Sequence, residues 1–215
     1  MIEKGGVAFS NVRGKFSKEF AKKIPGTKGN TSFWSAGVSV VLHPNNPKVP
    51  AMHFNTRFIC TKKNWFGGGM DVTPSRINLK EKKYFHKTLK KMCNKHNKSY
   101  YSKYKKWCDE YFYLPHRKES RGIGGIFFDY KMNNWENDFL FVKDVGLTFA
   151  HLTKKIIKKK MFLKWNKKEK ETQLLKRGRY AEFNLLYDRG TKFGLNSGGN
   201  TEAILMSMPP TAKWK

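Results

Sequence analysis

Gly37-Val38-Ser39-Val40-Val41-Leu42, then His43-Pro44-Asn45-Asn46-Pro47-Lys48-Val49-Pro50, then Met52-His53-Phe54-Asn55-Thr56-Arg57-Phe58-Ile59-Cys60 is the clearest structural signal in the chain. Both flanking runs are β-branched and alternate in polarity, so both read as strands. Three prolines exclude a helix between them, and the two strands are placed to pair antiparallel across the loop. Side chains alternate along a strand. His53, Asn55 and Arg57 therefore share one face, and Met52, Phe54, Thr56 and Phe58 the other. Ser39, Val41 and His43 share a face of the first strand. A polar triad opposite an apolar face fits either a solvent-facing strand or the wall of a cavity.

Outward from there, Gly5 to Gly14 reads as a turn-rich opening and Pro25 to Ser32 as a loop. Leu79 to His96 reads as a helix, with Phe85, Leu89, Met92, Cys93 and His96 on its buried side. Ser102 to Phe112 reads as a second helix and Gly125 to Asp129 as a short buried strand. Trp135 to Lys160 reads as a long helix with a core stripe of Phe139, Val142, Val145, Phe149 and Leu152. Glu169 to Lys176 reads as helical. Tyr180 to Tyr187, Thr191 to Leu195 and Glu202 to Met208 read as strands. Strands and helices do not alternate strictly. The expectation is a single α+β domain over residues 1–215, with a large, mostly antiparallel sheet flanked by helices on both sides.

The chain carries 44 basic and 16 acidic residues, a formal charge of +28. That balance invites a nucleic-acid reading. Only eight of the basic residues are Arg, at 13, 57, 76, 117, 121, 177, 179 and 189, and 36 are Lys scattered over loops and helix faces. Bidentate base and phosphate contacts favour Arg, so a compositional bias on a solvated surface accounts for the charge better, and no nucleic-acid partner is expected. A positive field would still attract a polyanionic substrate. No apolar run approaches a membrane span, and Met1-Ile2-Glu3-Lys4-Gly5-Gly6 lacks the apolar core of a secretory signal. Cys60, Cys93 and Cys108 are odd in number and far apart, which suggests reduced thiols in a cytoplasmic protein and offers no ligand set for an iron–sulfur cluster. No Gly-x-Gly-x-x-Gly follows a strand, so no dinucleotide site is indicated.

Three dense blocks carry the functional signal. The first runs from His43 through His53, Asn55 and Arg57 to Trp65-Phe66-Gly67-Gly68-Gly69-Met70-Asp71-Val72-Thr73-Pro74. The second is His116-Arg117-Lys118-Glu119-Ser120-Arg121-Gly122-Ile123-Gly124-Gly125-Ile126-Phe127-Phe128-Asp129. The third spans Lys176-Arg177-Gly178-Arg179-Tyr180, Asp188-Arg189-Gly190-Thr191 and Glu202 to Pro210. In this order they closely resemble the oxygen-dependent coproporphyrinogen III oxidase family over almost the whole chain. Relative to that family the chain looks short at both ends.

The resemblance implies oxidative decarboxylation of two propionates of coproporphyrinogen III to vinyl groups, giving protoporphyrinogen IX, CO2 and H2O2. It implies molecular oxygen as co-substrate and no organic cofactor. It carries catalytic roles onto His53 as proton donor, Asp71 and Arg57. Substrate contacts fall on Ser39, Asn55, Thr56, Arg57, Asp71, Arg117, Arg121, Gly198, Gly199 and Asn200. Asn200 stands where the family pattern has Arg. His43, His53, His86 and His116 fall where the family has been proposed to bind a divalent ion. The resemblance also implies a homodimer formed through residues 180–214. Read from the residues alone, Arg offers a planar fork for carboxylate and a buried carboxylate such as Asp71 can accept pyrrole N–H donors. The three glycines before Asp71 let a backbone turn sharply and approach a flat ligand. For Arg117 and Arg121, a local salt-bridge cluster around Glu119 is as good a reading as propionate binding. His96 and His151 read as structural.

Overall fold

The computed structural model describes residues 1–196 and 199–215, and of Asn196 the backbone only. Its centre is a five-stranded antiparallel sheet in the order β1-β2-β3-β4-β7. The strands are β1 (Ile2–Lys15), β2 (Ser32–Pro44), β3 (Ala51–Cys60), β4 (Asn64–Thr73) and β7 (Gly125–Lys131). A short hairpin, β5 (Tyr113–Leu114) with β6 (Glu119–Ser120), forms a second sheet. β2 and β3 pair antiparallel, with Val41 opposite His53 and Ser39 opposite Asn55.

One face of the sheet is the main core. Met52 and Phe54 of β3, Met70 and Val72 of β4, and Ile126 and Phe128 of β7 point into it. They meet α2 (Leu79–His96), α3 (Tyr100–Tyr111) and α4 (Trp135–Lys160). Phe54 stacks on Phe149 of α4 with ring centroids 5.0 Å apart. The helices start where their sequences say they should. Asn78 and Asn134 accept from the backbone N–H groups of Glu81 and Asn137, which satisfies one orphan donor at each N-terminus. Glu136 and Asp138 open α4, and Lys158 to Lys160 close it, matching the helix dipole.

The other face is partly covered by the C-terminal third of the chain. There α5 (Lys167–Leu186) leads to α6 (Arg189–Asn196) and α7 (Thr201–Ile204), followed by a 3-10 turn over Leu205–Ser207. This arm is fastened to the sheet at two points. Phe193 of α6 meets Phe16, Phe20 and Phe33 beside α1 (Lys18–Ala21). The carbonyl of Ser207 accepts from His43 at the opposite end of β2. Between the anchors runs the polar half of the face, with Ser39, His53, Asn55 and Arg57.

Several expectations fail here for identifiable reasons. The expected strands at 180–187, 191–195 and 202–208 are helical. An Asn166–Glu169 capping box launches α5. Tyr180, Phe183, Asn184 and Tyr187 then fall on one side at helical spacing, and alternation over so short a run does not distinguish the two periods. Residues 5–14 form most of β1, not a turn-rich segment. Space beside its glycines is taken by other side chains: a Cβ on Gly6 would lie 2.8 Å from Met206 Sδ. Gly67-Gly68-Gly69 does not turn either. It lies inside β4, where Cβ atoms on Gly68 and Gly69 would each approach a neighbouring carbonyl, of Asn55 and of Ile126, to 2.5 Å. On α4 the core takes Phe141, while Phe139 is exposed. His96 is only half-buried and pairs with Asp144 at 2.9 Å. Cys93 and Cys108 are buried free thiols, and burial pushes Cys93 up to about 12.

Candidate functional site

His53 and Asp71 are cross-strand partners in the β3–β4 register. Their side chains meet on the polar face: His53 Nδ1 lies 2.8 Å from Asp71 Oδ1. Asp71 is 2% exposed. Its second partner is Arg121, whose Nη2 donates to both carboxylate oxygens at 2.7 Å. Arg121 is itself buried, with its guanidinium 4.0 Å from the ring centroid of Phe112, 4.4 Å from Tyr180 and 4.7 Å from Phe183. It also donates to Asn184 at 3.1 Å. Burial alone would raise the Asp71 pKa. The Arg121 charge and the His53 hydrogen bond outweigh it and hold the carboxyl below its ordinary value.

This network fixes the imidazole. An ionised Asp71 takes the Nδ1 hydrogen of His53, which leaves Nε2 as the free basic nitrogen. Nε2 faces Asn55, whose amide nitrogen lies 3.4 Å away, a long contact. The Asn55 side-chain oxygen is buried and has no hydrogen-bond partner among the described residues. A buried unpartnered acceptor beside a half-open histidine suits a ligand N–H donor. Farther along β3, Arg57 is 31% exposed and donates from Nη2 to Asp129 Oδ2 at 2.6 Å. Ser39 is the register partner of Asn55 on β2. Ser39, His53, Asn55, Arg57 and Asp71 are thus brought together on one face.

Other expected site residues lie elsewhere. Thr56 points to the opposite face of the sheet, because the strand alternates. Arg121 is the counterion of Asp71 and not a surface ligand. Arg117 donates twice to Glu182, at 3.0 and 2.7 Å. Glu182 also takes bonds from His116, Arg179 and Trp214. The Arg117 hydrogen bond, more than any other partner, pulls Glu182 down to about 2. Glu119, expected between Arg117 and Arg121, instead pairs with Lys176 and Arg179. Asn200 caps α7 by accepting from Ala203 N at 3.1 Å, and Gly199 N donates to Gly194 O. Gly198 lies outside the described residues.

The four histidines expected to hold a divalent ion do not converge. His43 donates to Ser207 O at 2.9 Å and is 1% exposed. Burial, with Arg177, Lys4 and Arg121 near, lowers its pKa to about 4. His86 sits on α2, on the far side of the sheet, bonded to Ile123 O and Tyr101 OH. His116 is held by Glu182 and Tyr187. Among the described residues, no three His, Cys, Asp or Glu side chains are grouped to hold a metal ion, so this set does not fit one.

Two carboxylates, one at the site and one beside α6, carried no expectation. Asp129 stood in the sequence at the end of an apolar run, but its partner Arg57 is 72 positions away. Asp188 accepts from Tyr111 OH at 2.8 Å and caps α6 through Thr191. The Asp-Arg-Gly-Thr run was visible too, yet nothing in it names Tyr111.

The family model described as coproporphyrinogen III oxidase matches residues 1–215. A protein of Rickettsia rickettsii (strain Sheila Smith) is 55% identical over 215 residues, which is all of this chain and 77% of the relative. One of Rickettsia bellii (strain OSU 85-389) is 54% identical over the same shares. Both are named oxygen-dependent coproporphyrinogen-III oxidase. On a full-length family match and better than half identity to relatives it covers by more than two thirds, the chain belongs to the coproporphyrinogen III oxidase family.

Proposed function

We propose that this protein oxidatively decarboxylates two propionate side chains of coproporphyrinogen III to vinyl groups, in porphyrin and haem biosynthesis. Each turn converts one CH2–CH2–COOH group and one O2 to CH=CH2, CO2 and H2O2. Two hydrogens leave the side chain with the carboxyl carbon, and oxygen takes both with the two electrons.

The observation that carries the reading is the ordered line Arg121–Asp71–His53 beneath Asn55 and Arg57, in a chain of this family. Arg57 supplies the cationic fork for a substrate carboxylate. The Asn55 oxygen accepts a pyrrole N–H. His53 exchanges a proton at Nε2, and the buried Asp71 carboxylate stabilises the imidazolium that results. The electron-rich macrocycle reacts with oxygen directly, so the protein contributes position and placed charge. No step is assigned to a metal, because the four candidate histidines are separately engaged. The excess positive charge raises the encounter rate of a tetra-anionic substrate.

A homodimer through residues 180–214 is part of the proposal. Leu185, Leu186, Leu195 and Trp214 are exposed apolar side chains of that segment. A monomer in sedimentation at micromolar concentration contradicts this part alone. The test of the chemistry is His53→Gln, which keeps Asp71 with Arg121 and removes the basic nitrogen. Turnover falls roughly 100-fold or more, with binding of an oxidised porphyrin retained. Full activity of a folded variant contradicts the role.

A further inference from the structure

We propose that Asp129 is a positioning residue for Arg57, and that the contact exists because residue 67 is glycine and β7 is bulged. The inference rests on the reading of Arg57 as a carboxylate ligand.

Arg57 and Asp129 belong to β3 and β7, which flank β4 on opposite sides. They are two strand spacings apart, roughly 10 Å, so their side chains must cross β4. They cross over Gly67. A Cβ there would lie 2.5 Å from Asp129 Oδ1 and 3.0 Å from Arg57 Nη2. Any side chain at 67 therefore stands in the path of the pair.

The β7 end of the contact is built by a bulge. The β4–β7 register shifts between Phe66 and Gly68. Tyr130 takes a left-handed backbone, φ 53°, which a non-glycine residue adopts at a cost. Alternation from Phe128 puts Asp129 on the polar face, and the bulge returns Lys131 to the core side, where it pairs with Asp138 at 2.6 Å. Asp129 Oδ1 accepts from Tyr130 N at 3.0 Å, which holds the carboxylate with Oδ2 turned to Arg57. Bulges beside sites commonly re-aim one side chain in this way.

What remains free on Arg57 sets the use of the contact. Arg117, Arg121, Arg177 and Arg179 each make two or more side-chain bonds. Arg57 makes one, through Nη2, to the described residues. Its Nε and Nη1 hydrogens and the second Nη2 hydrogen are left, so one edge of the fork stays open to a ligand. Asp129 also cancels the charge of Arg57, so the pair favours a carboxylate that meets the fork in one geometry over any anion nearby. Asp129 acts through Arg57 and holds one propionate while another reacts.

The test compares Asp129→Ala, Asp129→Asn, Asp129→Glu, Gly67→Ala and Arg57→Ala, each checked for folding by thermal melting. Products of coproporphyrinogen III are separated by chromatography, so that the species with three carboxylates, formed after one decarboxylation, is counted beside the final product. Asp129→Ala and Asp129→Asn lower kcat/KM roughly tenfold or more and raise the released share of the three-carboxylate species. Asp129→Glu recovers part of both, and Gly67→Ala behaves as Asp129→Ala does. Adding Asp129→Ala to Arg57→Ala changes little further. A general loss of stability lowers the amount of active protein and leaves the product ratio alone. Wild-type kcat/KM and product ratio in folded Asp129→Asn, with Arg57→Ala impaired, overturn the positioning role. Wild-type behaviour of Arg57→Ala overturns the reading of Arg57 beneath it.

Discussion

Asp71 serves the fold and the site with the same two oxygens. It neutralises Arg121, which is stacked among three aromatic rings, and it orients His53. Asp71→Asn therefore does more than abolish turnover. It leaves the Arg121 charge buried without its anion, a loss of about 3–5 kcal/mol, visible as a lower urea midpoint. Midpoint and turnover both near wild type would contradict this. His43 gives a second test. In the folded protein its pKa is about 4, against an ordinary value of 6.5. Between those values the unfolded chain binds a proton that the native state does not, so stability falls as pH drops from 6.5 to 4 and this contribution stays lost below. At most about 3 kcal/mol is at stake. A His43→Gln variant loses that part of the pH dependence in urea titrations, and an unchanged pH profile would refute the assignment. The sequence marked Asp71 and His53 as partners of a substrate. It could not mark Arg121 as the counterion, because that contact spans 50 positions and depends on where three rings close around it.

Strand β4 shows how glycine can shape a sheet through what it omits. Gly67 clears the path of the Arg57–Asp129 pair, and across the register Gly125 faces Asp71. A Cβ on Gly125 would collide with the backbone carbonyl of Met70. Backbone cannot give way as a side chain end does, so Gly125→Ala destabilises by roughly 3 kcal/mol or more. Thermal melting measures it, and a Tm within a degree or two of wild type would show that the strands part more easily than their packing implies. β2, β3, α2 and α4 were legible because each follows its period over a long run, between prolines or beneath an Asn cap. β1 was not: its glycines read as turns, and only pairing along the length of β2 makes a strand of them. The arm from 180 to 208 was misread because eight residues of mixed polarity fit both periods, and the capping box that decides the matter lies upstream at Asn166.

Across the whole molecule the two sides of one sheet divide the work. One side is sealed by α2, α3 and α4 and holds the larger apolar core. The other holds a polar strip between two anchors of the C-terminal arm. Among the described residues, no helix is long and apolar enough to cross a membrane. The charge of +28 lies mostly on lysines and suits an anionic substrate. Anaerobically prepared coproporphyrinogen III is mixed with the protein, once in air and once under argon with S-adenosylmethionine added, while an electrode follows dissolved O2 and chromatography follows the products. The expected result is one O2 consumed for each vinyl group formed in air, and no vinyl product under argon. Product under argon, or none in air from protein with an intact melting transition, would contradict it.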